Sequence, residues 1–344
     1  MKRHVNIPIF IPHLGCPNQC VFCNQRTISG VSEFDISDVK VQIDTALSTI
    51  DDSCEAEIAF FGGSFTGIDR DLMISLLQIA HSYVRDGRVK SVRCSTRPDY
   101  ISEEVLDLLE KYGVATVELG LQSSSDEILS ISKRGHSFSD EEKAARMLVE
   151  RGFTIVGQMM IGLPGSMLED EISTARFIVE SGAKGARIYP TVVFHGTELC
   201  MMSSVGEYLP LELSDAVERS ARVLEIFLDA GVDVIRIGLC ASENLADAEK
   251  YYAGPNHPAL GEMVESAMIY NKIAGKLSSD RSYDGVTLKV SVAKGCLSKA
   301  IGQKKTNKSR LIQEYGFADV KITEDPSLIG YQFKIEEERK RECT

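Results

Sequence analysis

The sequence predicts an α/β fold, a partial or complete (β/α) barrel followed by a small C-terminal α/β module. Three observations support it. From residue 5 to about 240, short apolar runs alternate with amphipathic stretches of helical period, the pattern of β/α units around a parallel sheet. After about residue 245 the alternation stops at a stretch rich in Gly and Pro. Beyond it, strand and short helix patterns follow in a new order. The expected organisation is a barrel over 1–245, a connecting turn and helix over 246–285, the small module over 286–338 and a solvated charged tail over 339–344.

The expected barrel strands are "VNIPIFIP", "AEIAFF", "SVRCST", "ATVELGL", "TIVGQMMI", "GARIYPTVV" and "DVIRIGL". Between them stand helical segments such as "DRDLMISLLQIAHSYV", "SEEVLDLLEKYG", "DEEKAARMLVERG", "MLEDEISTARFIVESG" and "LSDAVERSARVLEIFLDAG", several opening on Ser or Asp and stopping at Gly. Each helix is then a crossover, and ligands belong at the carboxyl ends of the strands. In the tail end of the chain, "YYAGPNHPALGEMVESAMIYNKIAGKL" reads as a turn and one helix. After it, "GVTLKVSVAKG" alternates like a strand, "CLSKAIG" and "NKSRLIQEYG" read as short helices joined by "QKKT", and "ADVKITED" and "YQFKIEE" read as strands.

With 344 residues, 43% hydrophobic and 26% charged, the chain is in the globular range and long enough for one large and one small domain. No apolar run approaches the roughly 20 residues of a membrane helix. The opening "MKRHVNIPIFIPHLGC" has a brief apolar part broken by two prolines, with no small-residue cleavage site after it. A cytoplasmic protein without a membrane partner is expected. A net charge of −12 argues against general nucleic-acid binding but leaves room for a local basic patch. Of nine cysteines, Cys54, Cys94, Cys200, Cys240, Cys296 and Cys343 are scattered singly, which suits buried thiols and not a disulfide framework.

The other three, Cys16, Cys20 and Cys23, fall together in "HLGCPNQCVFCNQR". A structural zinc site needs four ligands to close its shell. His13 lies at the expected strand end, and no second cysteine pair occurs at ligand spacing. An iron–sulfur cube held by three thiolates leaves one iron open to a cofactor or substrate. Three thiols lining a core, or zinc with a remote fourth ligand, are the alternatives.

C-x3-C-x2-C directly after a first strand, with Phe22 just before the third cysteine, resembles the radical S-adenosylmethionine (radical SAM) superfamily. The resemblance implies a [4Fe-4S] cluster on Cys16, Cys20 and Cys23, with S-adenosyl-L-methionine on the open iron. It also implies an electron donor, which the sequence does not identify, and cleavage of the cofactor to a 5′-deoxyadenosyl radical. In "FFGGSF", Gly62, Gly63 and Ser64 resemble the family's glycine-rich contact to the methionine amino group, where glycine lets a backbone approach a ligand; an ordinary β/α turn is the alternative.

"GVATVELGLQSSSDEILSISKRGHS" and "TIVGQMMIGLPG" resemble the subgroup of oxygen-independent coproporphyrinogen oxidases and the radical domain of the elongator acetyltransferase subunit. This implies Gln122 and Arg134 beside the ribose and carboxylate of S-adenosylmethionine. It also implies Gln158 and the Gly162-Leu163-Pro164-Gly165 turn near ribose and adenine. Arg134 as a solvated helix charge and Gln158 bonded to backbone are the bland alternatives. The chain departs from the pattern at Ser95, where an acidic residue is usual, and at Gln158, where the coproporphyrinogen oxidases carry aspartate.

"STRPDYI" and "RIYPTVVFHGTELCMMSSVGEYLPLE" resemble the elongator radical domain more than tetrapyrrole enzymes, which points to RNA. About 100 residues beyond the barrel are too few for an acetyltransferase, and no glycine-rich acetyl-coenzyme A loop follows residue 245. "AKGCLSKAIGQKKTNKSRLIQEYGFADVKI" resembles a KH RNA-binding module, with Lys305 where the G-x-x-G loop would carry its second glycine. Lys299, Lys304, Lys305, Lys308 and Arg310 stand there with no acidic residue between Lys294 and Arg310, so they are the expected RNA-binding cations; a solvated basic helix face is the alternative. Arg187, Tyr189 and Arg236 fall near the last strand ends, and His257 sits in a "GPNHP" turn, either capping the next helix or facing substrate.

The expected function is therefore a radical SAM enzyme that modifies RNA, with tRNA as the substrate. A coproporphyrinogen oxidase-like tetrapyrrole enzyme or haem-handling protein, and a non-catalytic metal- or RNA-binding protein, are the rival readings. The sequence assigns no residue to the chemistry on the substrate itself, and no oligomeric state.

Overall fold

The computed structural model describes residues 3–11, 15–16, 20–24, 34–51, 53–239, 249–278 and 280–339. The chain divides into two compact units, Met1–Leu213 with Ile226–Asn256, and Ser214–Glu225 with His257–Thr344.

In the first unit, β1 (Arg3–Phe10), β2 (Cys54–Phe61), β3 (Ser91–Thr96), β4 (Val114–Gln122), β5 (Thr154–Ile161) and β6 (Gly185–Pro190) pair side by side in chain order. After the two-residue β7 (Val193–Phe194), β8 (Asp233–Ile237) adds the seventh strand of this sheet beside β6. Every pairing in it is parallel. Among the described residues β1 and β8 do not pair, so the barrel is partial: a curled half-barrel. Each β/α step is visible in the sequence as a change from a short apolar run, buried on both faces, to a stretch of period 3.6. The helix Arg70–Arg85 buries Met73, Leu76, Leu77, Ala80 and Tyr83, one stripe of its surface. Gly157 of β5 is required by close helix packing, since a Cβ there would lie 2.7 Å from the Ile178 side chain.

Two local expectations are corrected. The helix read from "DEEKAARMLVERG" starts earlier, at Phe138, because Ser137 and Asp140 form a reciprocal capping box that satisfies the first free N–H groups. "GARIYPTVV" is not one strand. β6 ends at Pro190, which has no N–H to continue the ladder. β7 then pairs antiparallel with a short β9 (Tyr251–Ala253), in a stretch that the sequence reads as turn.

In the second unit the helix Leu260–Ala274 precedes β10 (Val286–Val292), the short helices Leu297–Ile301 and Thr306–Tyr315, β11 (Asp319–Glu324) and β12 (Phe333–Arg339). β10 is central, parallel to β11 and antiparallel to β12. Its Val286, Leu288, Val290 and Val292 are buried. Parallel pairing of β10 with β11 follows from the two-helix crossover between them. No helix among the described residues is long and apolar enough to cross a membrane.

Candidate active site

Strand side chains alternate between faces, so one face of the half-barrel collects every second residue. Asn6, Pro8 and Phe10 of β1, Phe61 of β2, Ser95 of β3, Glu118 and Gln122 of β4, Gln158 of β5, Arg187 and Tyr189 of β6 and Arg236 of β8 line one cavity of about 1180 Å³. Cys16, Cys20, Phe22, Cys23, Gly62, Gly63, Arg97 and Arg134 complete much of its wall.

Across this face runs a chain of buried charges. Arg93 Nε donates to Glu57 Oε2 at 2.6 Å, and its Nη1 to Glu118 Oε1 at 3.0 Å. Arg187 forks onto the same Glu118 carboxylate, Nε to Oε2 at 2.8 Å and Nη2 to Oε1 at 2.9 Å. Gln158 Nε2 donates to Glu118 Oε2 at 2.9 Å and to Ser95 Oγ at 3.1 Å. Glu118 is fully buried, and its charge is tolerable only because it is paired and bonded on both oxygens. Both bonds engage the amide nitrogen of Gln158, a residue that lines the cavity. Sequence reasoning missed Glu57, Arg93 and Glu118. The signal was there: a charged residue within each of "AEIAFF", "SVRCST" and "ATVELGL".

The cysteine loop is set against the turn after β2. Gly15 has φ +77°, and a Cβ on it would collide with the Ser64 carbonyl oxygen; Gly67 is held as closely against the Gly15 carbonyl. Burial pushes the Cys16 thiol pKa up, opposed by the Ser64 backbone N–H and by the charges of Arg97 and Arg134. Cys20 is buried, and its Sγ accepts from Arg134 Nη1 at 3.2 Å, while Arg134 Nη2 donates to the Gly120 carbonyl at 2.6 Å. The loop is tied down further by Val21 N–H to Ser132 O at 3.2 Å and Leu199 N–H to Val21 O at 2.8 Å. Arg97 is bound by Asp99 through two 2.9 Å bonds and donates to the Arg134 carbonyl and, at 3.4 Å, to His136. Gln122 ends β4 at φ +77°, where the ladder with β5 shifts register. A non-glycine residue held there is strained by about 1 kcal/mol, a cost that recurs at ligand sites.

In donor type these residues suit an iron–sulfur centre with a carboxylate-bearing cofactor, although the three thiols are not drawn together to metal-binding distance. The donors on the wall are thiols, two guanidinium groups offset their negative charge, and Arg134 Nε is a buried donor with no partner. Among the described residues no three of His, Cys, Asp and Glu stand close enough together to hold a metal ion. Residues 17–19, between Cys16 and Cys20, and His13 lie outside the described residues.

The cavity thus brings together Cys16, Cys20, Cys23, Phe22, Gly62, Gly63, Gln122, Arg134 and Gln158, and also Arg187, Tyr189 and Arg236. It does not bring in Ser64, Gly162 or Pro164. Ser64 Oγ is buried against Thr96 Oγ1 at 2.9 Å and accepts from Arg97 N–H at 3.2 Å. Gly162 donates its N–H to Glu171 Oε1 at 2.7 Å and accepts from Tyr208 OH at 2.7 Å. His257 in the second unit accepts from Ala259 N–H at 3.1 Å, tightening the turn before the helix Leu260–Ala274.

The basic segment is less bare than its sequence. Lys299 pairs with Glu265 at 2.6 Å, Lys308 with Asp319 at 2.9 Å and Arg310 with Glu314 at 3.0 Å, Arg310 also lying 3.9 Å over the Tyr270 ring. Lys304 and Lys305 are exposed on the turn between the two short helices, at φ +51° and +65°.

Comparison with known proteins agrees with this geometry. The radical SAM superfamily model matches residues 10–178, and the radical SAM C-terminal domain model matches residues 183–270. A tRNA uridine(34) acetyltransferase of Methanocaldococcus infernus is 39% identical over 126 residues, 36% of this chain and 24% of that protein. The match therefore spans about a quarter of that relative's length. An uncharacterized protein of Methanocaldococcus jannaschii is 30% identical over 236 residues, 65% of this chain and 72% of its own length. Among solved structures, the N-terminally truncated Elp3 of M. infernus shares the fold with a TM-score of 0.61 at 23% identity, covering 80% of this chain and 64% of that one. Two family models that follow one another between residues 10 and 270, and a relative matched over most of its length, put the conclusion beyond the cysteine motif alone: the chain belongs to the radical SAM superfamily of enzymes.

Proposed function

We propose that the half-barrel cavity is the active site of a radical SAM enzyme that modifies RNA, with tRNA as its substrate. The observation that carries the reading is that the three cysteines share one cavity wall with Gln122, Arg134 and Gln158. Cys16, Cys20 and Cys23 would hold a [4Fe-4S] cluster, leaving one iron for S-adenosylmethionine. When bound, that pair would supply one-electron reductive chemistry at the sulfonium, given an electron donor. Arg134 offers its unpartnered Nε to a carboxylate, and Gln158 presents an acceptor oxygen to hydroxyl or amino hydrogens. Gln122 and the backbone at Gly62 and Gly63 close around the ligand, while Phe10, Phe22, Phe61 and Met160 keep water away from it. We assign Ser64, Gly162 and Pro164 to shaping this wall from behind.

RNA as substrate is supported by the tRNA-modifying names of the relatives matched, such as the tRNA uridine(34) acetyltransferase. It is supported also by the exposed Lys304 and Lys305 turn, suited to phosphate, within a strand, two-helix, strand order like a KH module. Lys299, Lys308 and Arg310, already paired, support the fold around that turn. The test compares modified nucleosides in tRNA from cells with and without the protein. A nucleoside missing from the deletion strain and restored by the wild-type gene, but not by Cys20→Ala, is expected. Identical nucleoside profiles would sink the RNA reading.

A further inference from the structure

Four arginines face the cavity, Arg97, Arg134, Arg187 and Arg236, and the first three are matched. Arg97 has Asp99, Arg134 has the Cys20 sulfur and the Gly120 carbonyl, and Arg187 has Glu118. Arg236 differs. Its bonds run to the backbone carbonyls of Gly238 at 3.2 Å and Leu239 at 3.3 Å, and no carboxylate among the described residues pairs with it.

Arg236 also has an awkward neighbour. In the parallel pairing of β6 with β8 it stands directly opposite Arg187. Adjacent strands lie about 4.8 Å apart, and like charges directly opposite destabilise a sheet. The carboxylate that could relieve them, Glu118, is already shared by Arg187 and Arg93. Along this row two carboxylates, Glu57 and Glu118, face three guanidinium groups, Arg93, Arg187 and Arg236. The surplus positive charge sits at the β8 end, on the cavity wall that Tyr189 also lines. Two neighbouring guanidinium groups short of one anion make a receptor for an oxyanion, which they can grip through several charge-assisted bonds.

We propose that Arg236, with Arg187 beside it, is a subsite for a phosphate group of the RNA nucleotide that enters the cavity. This rests on the RNA reading above. Arg236 is then a binding residue that fixes the nucleotide at the β8 side of the cavity.

The test titrates the purified full chain with uridine 5′-monophosphate, uridine, inorganic phosphate and malonate, alongside Arg236→Gln and Arg236→Lys. The monophosphate is expected to bind about tenfold more tightly than the nucleoside. That preference should vanish in Arg236→Gln and return in part in Arg236→Lys. In phosphate-free buffer Arg236→Gln should melt above the parent, because the like-charge contact is gone; a purely structural arginine would lower the melting temperature. A preference retained in Arg236→Gln, or a lowered melting temperature, overturns the subsite. Malonate binding more tightly than inorganic phosphate overturns its assignment to phosphate. Failure of the RNA reading shows itself elsewhere, as an unaltered tRNA nucleoside profile, and the monophosphate preference still stands or falls on Arg236.

Discussion

Replacing Glu118 with glutamine keeps the shape of the side chain and removes the negative charge that Arg93 and Arg187 share. Glu118 is fully buried and Arg93 nearly so, with side-chain exposures of 1% and 9%. Breaking a buried pair in this way leaves a charge without its counter-ion in low dielectric and costs about 3–5 kcal/mol. Lys90 and Glu55 provide the control. They pair at 2.6 Å, Lys90 just before β3 and Glu55 on β2, but their side chains are 63% and 38% exposed. A pair in that setting contributes about 0.2–1 kcal/mol. Distance alone therefore predicts similar losses for Glu118→Gln and Glu55→Ala, whereas burial predicts a severalfold difference. Thermal and urea unfolding of the metal-free chain, followed by circular dichroism, separates the two. Glu118→Gln should lower the melting temperature by about 6–20 °C, at ~2–4 °C per kcal/mol for a unit of this size. Adding Arg187→Met should recover most of the loss, because the stranded guanidinium leaves with it. A Glu118→Gln protein within about 1 kcal/mol of the parent would refute the account of the cavity floor.

Other outcomes follow from the same geometry. Arg134→Gln should weaken S-adenosylmethionine binding by about tenfold or more, since a charge-assisted bond is lost; unchanged affinity by titration would remove Arg134 from the site. Gly15→Ala should lower iron retention after reconstitution, because a Cβ at φ +77° meets the Ser64 carbonyl and displaces Cys16; full iron content would show the loop tolerates the shift. Lys305→Gly should stabilise the chain by about 1 kcal/mol by releasing a left-handed lysine, while reducing tRNA retained at low salt; unaltered retention would count against the turn as an RNA contact. Burial holds the His136 pKa down to about 4, with the charge of Arg134 adding to it, and burial raises that of its partner Glu141. Between pH 6.5 and 4 the unfolded chain takes up the His136 proton that the folded chain refuses, so this stability is lost as pH falls. Glu141 works with the opposite sign, its folded form being protonated first. His136→Gln should flatten the acid loss and Glu141→Gln should steepen it, and parallel pH–stability curves for the two variants would contradict the assignment.

Much of the half-barrel was legible because each crossover writes its own period, and Asp69 and Ser102 mark helix starts by accepting Leu72 and Val105 N–H groups. What the period does not encode is where a strand leaves its sheet. "GARIYPTVV" carries strand-forming residues on both sides of Pro190, and only that proline marks the break. The cysteines, Gln122, Arg134 and Gln158 could be singled out because the motifs that carry them resemble those of the radical SAM family. Glu57, Arg93, Glu118 and Arg187 could not be joined in advance, because each lies on a different strand and their partnership is decided by register. The basic segment misled in the opposite direction. Its charges are segregated along the chain, yet Glu265, Asp319 and Glu314 reach Lys299, Lys308 and Arg310 from neighbouring elements or the next helical turn, leaving the two left-handed lysines exposed.

The central claim is that the cysteine loop and the cavity around it cleave S-adenosylmethionine. Anaerobically reconstituted protein, mixed with dithionite and S-adenosylmethionine and assayed for 5′-deoxyadenosine, tests it most directly. About four irons per chain should be present, with deoxyadenosine formed by the wild type and absent in Cys20→Ala. Zinc in place of iron, or deoxyadenosine undiminished in Cys20→Ala, would contradict it.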